Sequence, residues 1–355
     1  MGQKMSTGFL LGILVCFVLL LYHKITQNHS RPPAEYDSYT RCKTKDGWEL
    51  GVYKYSPLQK LNPFPVILCH GMGGHARIWE LRGQESWALQ LRDAGFEVWS
   101  ISLRGSGKHA PTYIDTAKGW GWTIEAHLQE DLPALLDTIE KESGSSQFHW
   151  LGHGLGGQLI TLYQSEQSDR RIRSCVIMGT GLSLVGGLDG WERLSHYWPL
   201  PVFPLKRLAQ SISPFVILLS WWFRRFFEHP RADKDELKQM LSHGCSNVST
   251  PALRQWVHWT QSGKWTSFDN KIHYEDRLES FKTPVLFIAG SSDRLSPVHA
   301  VETLCKALGS SEKSITVLST KNGSSSDYGH LDLVTSPNIT ADALPLVKDW
   351  FQSQS

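Results

Sequence analysis

From Tyr39 to the C-terminus, short apolar runs alternate with stretches of helical period. The runs are Pro65–Cys69, Phe96–Ile101, Phe148–Leu151, Cys175–Met178, Pro284–Ala289 and Ser314–Leu318. The helical stretches include Ser86–Asp93, Thr123–Glu142, Leu155–Gln167, Pro297–Leu308 and Ala341–Phe351. Strands apolar on both faces, separated by amphipathic helices, predict a mostly parallel central sheet flanked by helices, an α/β fold. Before them, Tyr39–Thr44 and Trp48–Tyr55 flank Asp46-Gly47, which predicts a hairpin and so an antiparallel edge.

The alternation stops over residues 181–281 and resumes after them, so the core is expected in two pieces, 39–180 and 282–355. The intervening stretch holds seven of the chain's fifteen tryptophans and an apolar run, Phe215–Phe223, followed by Arg224-Arg225-Phe226-Phe227. It reads as a Trp-rich helical cap over the carboxyl edge of the sheet, either a packed cover or a membrane-facing lid that admits apolar substrate.

The N-terminus has a different pattern. Met5 to Tyr22 carries no charge, and Phe9–Leu21 is almost purely apolar, bounded by Lys4 and by His23-Lys24. This length approaches the ~20 residues a helix needs to cross hydrocarbon. A cleaved signal peptide is the rival, but Leu19–His23 offers no small-residue cleavage site. Residues 1–23 are therefore expected to be a single-pass membrane anchor and the polar, Pro-containing residues 24–38 a tether. Flanking charges do not orient it. Four Asn-x-Ser/Thr triplets, at Asn28, Asn247, Asn322 and Asn338, favour a lumenal or extracytoplasmic position for the folded domain.

Composition changes this picture little. At 355 residues, 41% hydrophobic and 20% charged, the chain suits one large domain with an insertion. A net charge of +2 with no basic stripe gives no reason to expect a nucleic-acid partner. Six scattered cysteines form no CxxC pair and read mainly as buried hydrophobes, with Cys42–Cys245 or Cys245–Cys305 disulfides left open. Fifteen histidines include no HExxH, and His229, His243, His258 and His273 lack ligand spacing, so neither metal nor cofactor is expected.

Chemistry concentrates where strands end. After Phe148–Leu151 comes Gly152-His153-Gly154-Leu155-Gly156-Gly157, the strand–turn–helix setting of a G-x-S-x-G nucleophile elbow with glycine at its centre. A glycine-rich turn of this kind also cradles phosphate in dinucleotide folds. Three further features point away from that reading. Cys69-His70-Gly71-Met72-Gly73-Gly74 follows the strand Pro65–Cys69 and suits an oxyanion loop. Ala289-Gly290-Ser291-Ser292-Asp293 puts Asp293 at a strand's carboxyl end, and Asp327-Tyr328-Gly329-His330 precedes the last helix. The chain order elbow, Asp, His is the one an α/β-hydrolase requires.

From Asp46 onward the chain resembles α/β-hydrolases of the lipase and esterase type. The segments PVILCHGMGG, GFEVWSISLRGSG, EDLPALLD, LGHGLGG and YGHLDLV are most similar to the acid-lipase-like branch. The resemblance implies carboxylic-ester hydrolysis on an apolar, lipid-like molecule. It further implies that Asp293 orients His330 as acid and base, and that the Met72 and Leu155 amides form the oxyanion hole. The family's nucleophile falls on Gly154, which has no side chain to attack with.

Loss of a triad nucleophile removes around six decades of rate. Ser102, Ser106 and Cys69 are candidate substitutes that read better as loop or core residues, and His153 is expected to point away from the oxyanion amides. A water activated by His330 is the remaining route. Two functions follow: an ester hydrolase with activity impaired or absent, or a non-catalytic protein that binds an apolar ligand or a protein partner in the same pocket.

Overall fold

The computed structural model describes residues 35–107, 119–182, 195–213 and 234–355. The expected anchor, most of the tether and the run Phe215–Phe223 lie outside the described residues. Among the described residues no helix is long and apolar enough to cross a membrane.

Among the described residues the strands are β1 (Ser38–Lys43), β2 (Glu49–Tyr55), β3 (Val66–Cys69), β4 (Val98–Ser102), β5 (Phe148–His153), β6 (Ile172–Met178), β7 (Val202–Phe203), β8 (Val248–Ser249), β9 (Val285–Gly290) and β10 (Lys313–Leu318). Eight of them form one sheet in the order β1-β2-β4-β3-β5-β6-β9-β10. β2 runs antiparallel to both β1 and β4, whereas every pairing from β4 to β10 is parallel. The central strands β3, β4, β5 and β9 are buried along their whole length, which is why their sequences are continuous apolar runs rather than alternating ones.

The helices that matter to the site are α1 (Trp87–Asp93), α2 (Leu132–Ser143), α3 (Leu155–Gln167), α4 (Leu205–Ile212), α5 (Thr250–Ser262), α6 (Val298–Ala307) and α7 (Ile339–Ser353). Two apolar cores lie against the sheet, one including Leu159, Ile160 and Leu304, the other Leu89, Val347 and Phe351.

Three details depart from the sequence pattern. The single helix expected over Thr123–Glu142 is interrupted by a π-turn, His127–Asp131, ahead of α2. Pro133 has no N–H for the Gln129 carbonyl and its ring crowds that position, so the backbone widens just before it. The stretch between β6 and β9 is not purely helical, because β7 and β8 pair antiparallel. The five described cysteines are free thiols, so neither Cys42–Cys245 nor Cys245–Cys305 is bridged. Of the Asn-x-Ser/Thr triplets, Asn322 and Asn338 are exposed, Asn247 is half-buried, and Asn28 lies outside the described residues.

Candidate active site

The site forms where β5 turns into α3. Gly154 stands at that turn with φ 52° and ψ −113°, a backbone conformation that residues bearing a Cβ rarely adopt. Its N–H donates to Met178 O at 3.0 Å, continuing the β5–β6 ladder. Its carbonyl accepts from the amides of Gly157 and Gln158 and from Thr180 Oγ1, each at 3.0 Å. The flanking glycines are set by close approach: a Cβ on Gly156 would lie 2.4 Å from Cys69 O, and one on Gly152 2.5 Å from Gly156 O.

Asp293 and His330 come together beside this turn. His330 Nδ1 donates to Asp293 Oδ2 at 2.9 Å, while Asp293 Oδ1 accepts from the amides of Leu295 (2.8 Å) and Ser296 (2.7 Å). Burial works against the Asp293 charge, but His330 and those two amides outweigh it and hold the carboxyl below its ordinary value. A carboxylate only accepts, so the His330 Nδ1 carries a proton, and in the neutral imidazole Nε2 presents its lone pair. A Cβ on Gly154 would stand 3.3 Å from that Nε2.

His153 is buried and donates from Nε2 to His330 O at 2.9 Å, with the two rings 4.5 Å apart. Burial, then the neighbouring His330, pushes its pKa down to about 3, so it stays neutral. It thus fixes the backbone that carries His330. Neither this contact nor the Thr180 bond was readable in the sequence, because both join residues far apart in the chain.

Met72 and Leu155 lie on the wall of one pocket with His70, Arg104, Ser106, Trp122 and His127; Asn247, Val248, Ser249 and Ala252 close it from the β6–β9 stretch. Leu155 opens α3, where an amide has no partner within the helix. Among the described residues neither the Met72 nor the Leu155 amide donates to a protein acceptor. The second side of this pocket is secured by α5 and β8: Trp256 Nε1 of α5 donates to Gln158 Oε1 on α3 at 3.1 Å, and Ser249 Oγ of β8 donates to Trp122 O at 2.5 Å. Ser102 Oγ is occupied by the Ala76 amide at 3.1 Å, and the Cys69 thiol is buried in β3 with its pKa raised by desolvation. Among the described residues no group of three or more His, Cys, Asp or Glu side chains converges as a metal ion would require.

Sheet order, the β5–α3 turn and an Asp–His pair at the carboxyl edge define a hydrolase-type α/β protein. The chain belongs to the α/β hydrolase fold family, whose model matches residues 65–337. It is 32% identical to gastric triacylglycerol lipase of Mus musculus over 78% of this chain and 80% of that one. Lysosomal acid lipase/cholesteryl ester hydrolase of Homo sapiens is 22% identical over 83% of this chain and 88% of its own. Among solved structures, the monoacylglycerol lipase of Paleococcus ferrophilus superposes with a TM-score of 0.57 at 18% identity, covering 86% of this chain and all of that one (100%), a likeness of fold. Family and relatives together make this a lipase/esterase-like α/β-hydrolase.

Proposed function

We propose that this protein binds an apolar carboxylic ester at the carboxyl edge of the sheet, with the carbonyl oxygen against the Met72 and Leu155 amides. In this reading Asp293 orients His330 as acid and base, and Gly154 occupies the nucleophile's place. The acyl-enzyme route is then closed and hydrolysis through it is impaired. The observation that carries the reading is the 3.3 Å between the Cβ direction of Gly154 and His330 Nε2. A serine Oγ one bond further on falls within hydrogen-bond reach of that lone pair. The names of the relatives, triacylglycerol lipase and cholesteryl ester hydrolase, support a lipid-like ester as the ligand class.

Gly154→Ser is expected to raise turnover of short acyl esters by at least about three decades, within the range a triad nucleophile supplies. Adding His330→Ala should remove the gain. The measurement is steady-state hydrolysis of p-nitrophenyl esters, with a fluorophosphonate probe to label the new serine. A folded Gly154→Ser that neither labels nor hydrolyses would refute the reading and leave a binding scaffold in its place.

A further inference from the structure

A second histidine–carboxylate pair stands at the pocket lined by Met72 and Leu155. His127 and Asp131 sit at the two ends of the π-turn, and His127 Nδ1 donates to Asp131 Oδ2 at 2.7 Å. Asp131 is fully buried. Arg104 holds it from two sides, through its amide on Oδ2 (3.1 Å) and its Nε on Oδ1 (2.8 Å). Arg104 in turn reaches Asp46 at 2.7 Å, so its charge is satisfied and the carboxylate cannot swing.

The tautomer follows from chemistry. Asp131 only accepts, so Nδ1 of His127 carries a proton, and in the neutral imidazole Nε2 carries a lone pair. Residue His127 is 5% exposed and lines the pocket. Among the described residues its Nε2 has no hydrogen-bond partner, and it is not one of the polar atoms sealed from solvent. Ser106, on the same wall, is the weaker candidate for chemistry. Its Oγ donates to Leu103 O at 2.7 Å, and the nearby His70 Nε2 (3.3 Å) already accepts the Leu103 amide.

We propose that His127, oriented by Asp131, is a general base that activates a pocket water for direct attack on the bound ester carbonyl. This inference rests on the ester-binding reading above, and it needs no side chain at position 154. The water oxygen bonds to the carbonyl carbon as one of its protons passes to His127 Nε2. The displaced electron pair collects on the carbonyl oxygen, facing the Met72 and Leu155 amides. Collapse breaks the bond to the alcohol oxygen, which takes the proton back from His127. Ester and water become acid and alcohol, with no covalent enzyme intermediate.

The test uses the full unmodified chain and p-nitrophenyl butyrate. A slow, burst-free turnover above buffer is expected. His127→Gln, whose amide can still donate to Asp131, should lower it at least about tenfold. In His127→Ala, added imidazole should restore turnover saturably, a readout that a purely structural histidine would not give. The urea midpoint reports folding of each variant, and His127→Asn stands in for any that fails to fold. The proposal is overturned by turnover no faster than buffer, by a folded His127→Gln or His127→Asn at the wild-type rate, or by absence of imidazole rescue. If Gly154→Ser gains activity while His127→Gln leaves wild-type turnover intact, only this inference falls. If Gly154→Ser is inert but His127-dependent turnover is present, only the serine-site reading falls.

Discussion

At position 154 the backbone, not the missing side chain, sets the energetic balance. A residue with a Cβ held at φ 52° and ψ −113° is strained by about 1–3 kcal/mol, and glycine is not. Gly154→Ser is therefore expected to lower unfolding free energy by about 1 kcal/mol while it adds activity. Urea denaturation of the two proteins checks this, and an equal or higher midpoint for the serine form would show that the turn carries no such strain. The neighbouring residues divide by how far they reach. Gly154, Asp293 and His330 were readable as a set because each lies in a turn after a strand, in the required chain order. His153 was read only as pointing away from the amides. Its bond to the His330 carbonyl spans 177 residues, and no local spacing encodes it. His127 and Asp131 look in sequence like any i, i+4 pair on a helix, since Arg104 and the cavity that give them meaning come from other elements.

Among elements, the contact of α3 with β3 and β5 is a tight constraint near the site. The first turn of α3 passes so close to β3 that a Cβ on Gly156 would lie 2.4 Å from Cys69 O and 2.9 Å from His70 O, both backbone atoms that cannot rotate aside. Gly156→Ala is expected to destabilise the fold toward the upper end of the ~1–3 kcal/mol seen for overpacking. It should also push the Met72 loop, so that the Gly154→Ser/Gly156→Ala double variant loses most of the esterase gain of Gly154→Ser alone. Thermal unfolding with parallel assays would reveal it, and a double variant as active and stable as Gly154→Ser would contradict it. Most strands were legible to within a few residues, because burial on both faces leaves an unbroken apolar run. The two-residue strands β7 and β8 were not, being too short to show any period. The π-turn also escaped, although Pro133 marks its place once the helix is seen.

For the molecule as a whole, buried histidines make acid a threat to stability. Burial pushes His70 down to about 4, and His75, His149 and His153 down to about 3. In the unfolded chain each returns to about 6.5. The unfolded state then binds protons that the folded state refuses. Their contribution is intact above about pH 6.5 and is lost as pH falls toward 4 and then 3. At pH 5 each histidine accounts for about 2 kcal/mol of that loss, a large share of the ~5–15 kcal/mol that holds a protein folded. The Asp293 carboxylate, held below its ordinary value, acts in the same direction at lower pH. The urea midpoint is accordingly expected to fall steeply between pH 7.5 and pH 5. A flat profile over that interval would mean that these imidazoles accept protons without unfolding the chain.

The side-chain-free turn at Gly154 also has a genetic meaning. A glycine codon ending in a pyrimidine becomes a serine codon by one base change. Where codon 154 is of that kind, a single point mutation separates this sequence from one bearing hydroxyl, imidazole and carboxylate in line, and the folding penalty for it is about 1–3 kcal/mol. Such a step is small beside the drift that would accumulate at a site under no constraint. On the reading proposed above, the two alleles would differ in turnover by orders of magnitude and in stability by about 1–3 kcal/mol, so selection on this locus would weigh turnover against folding.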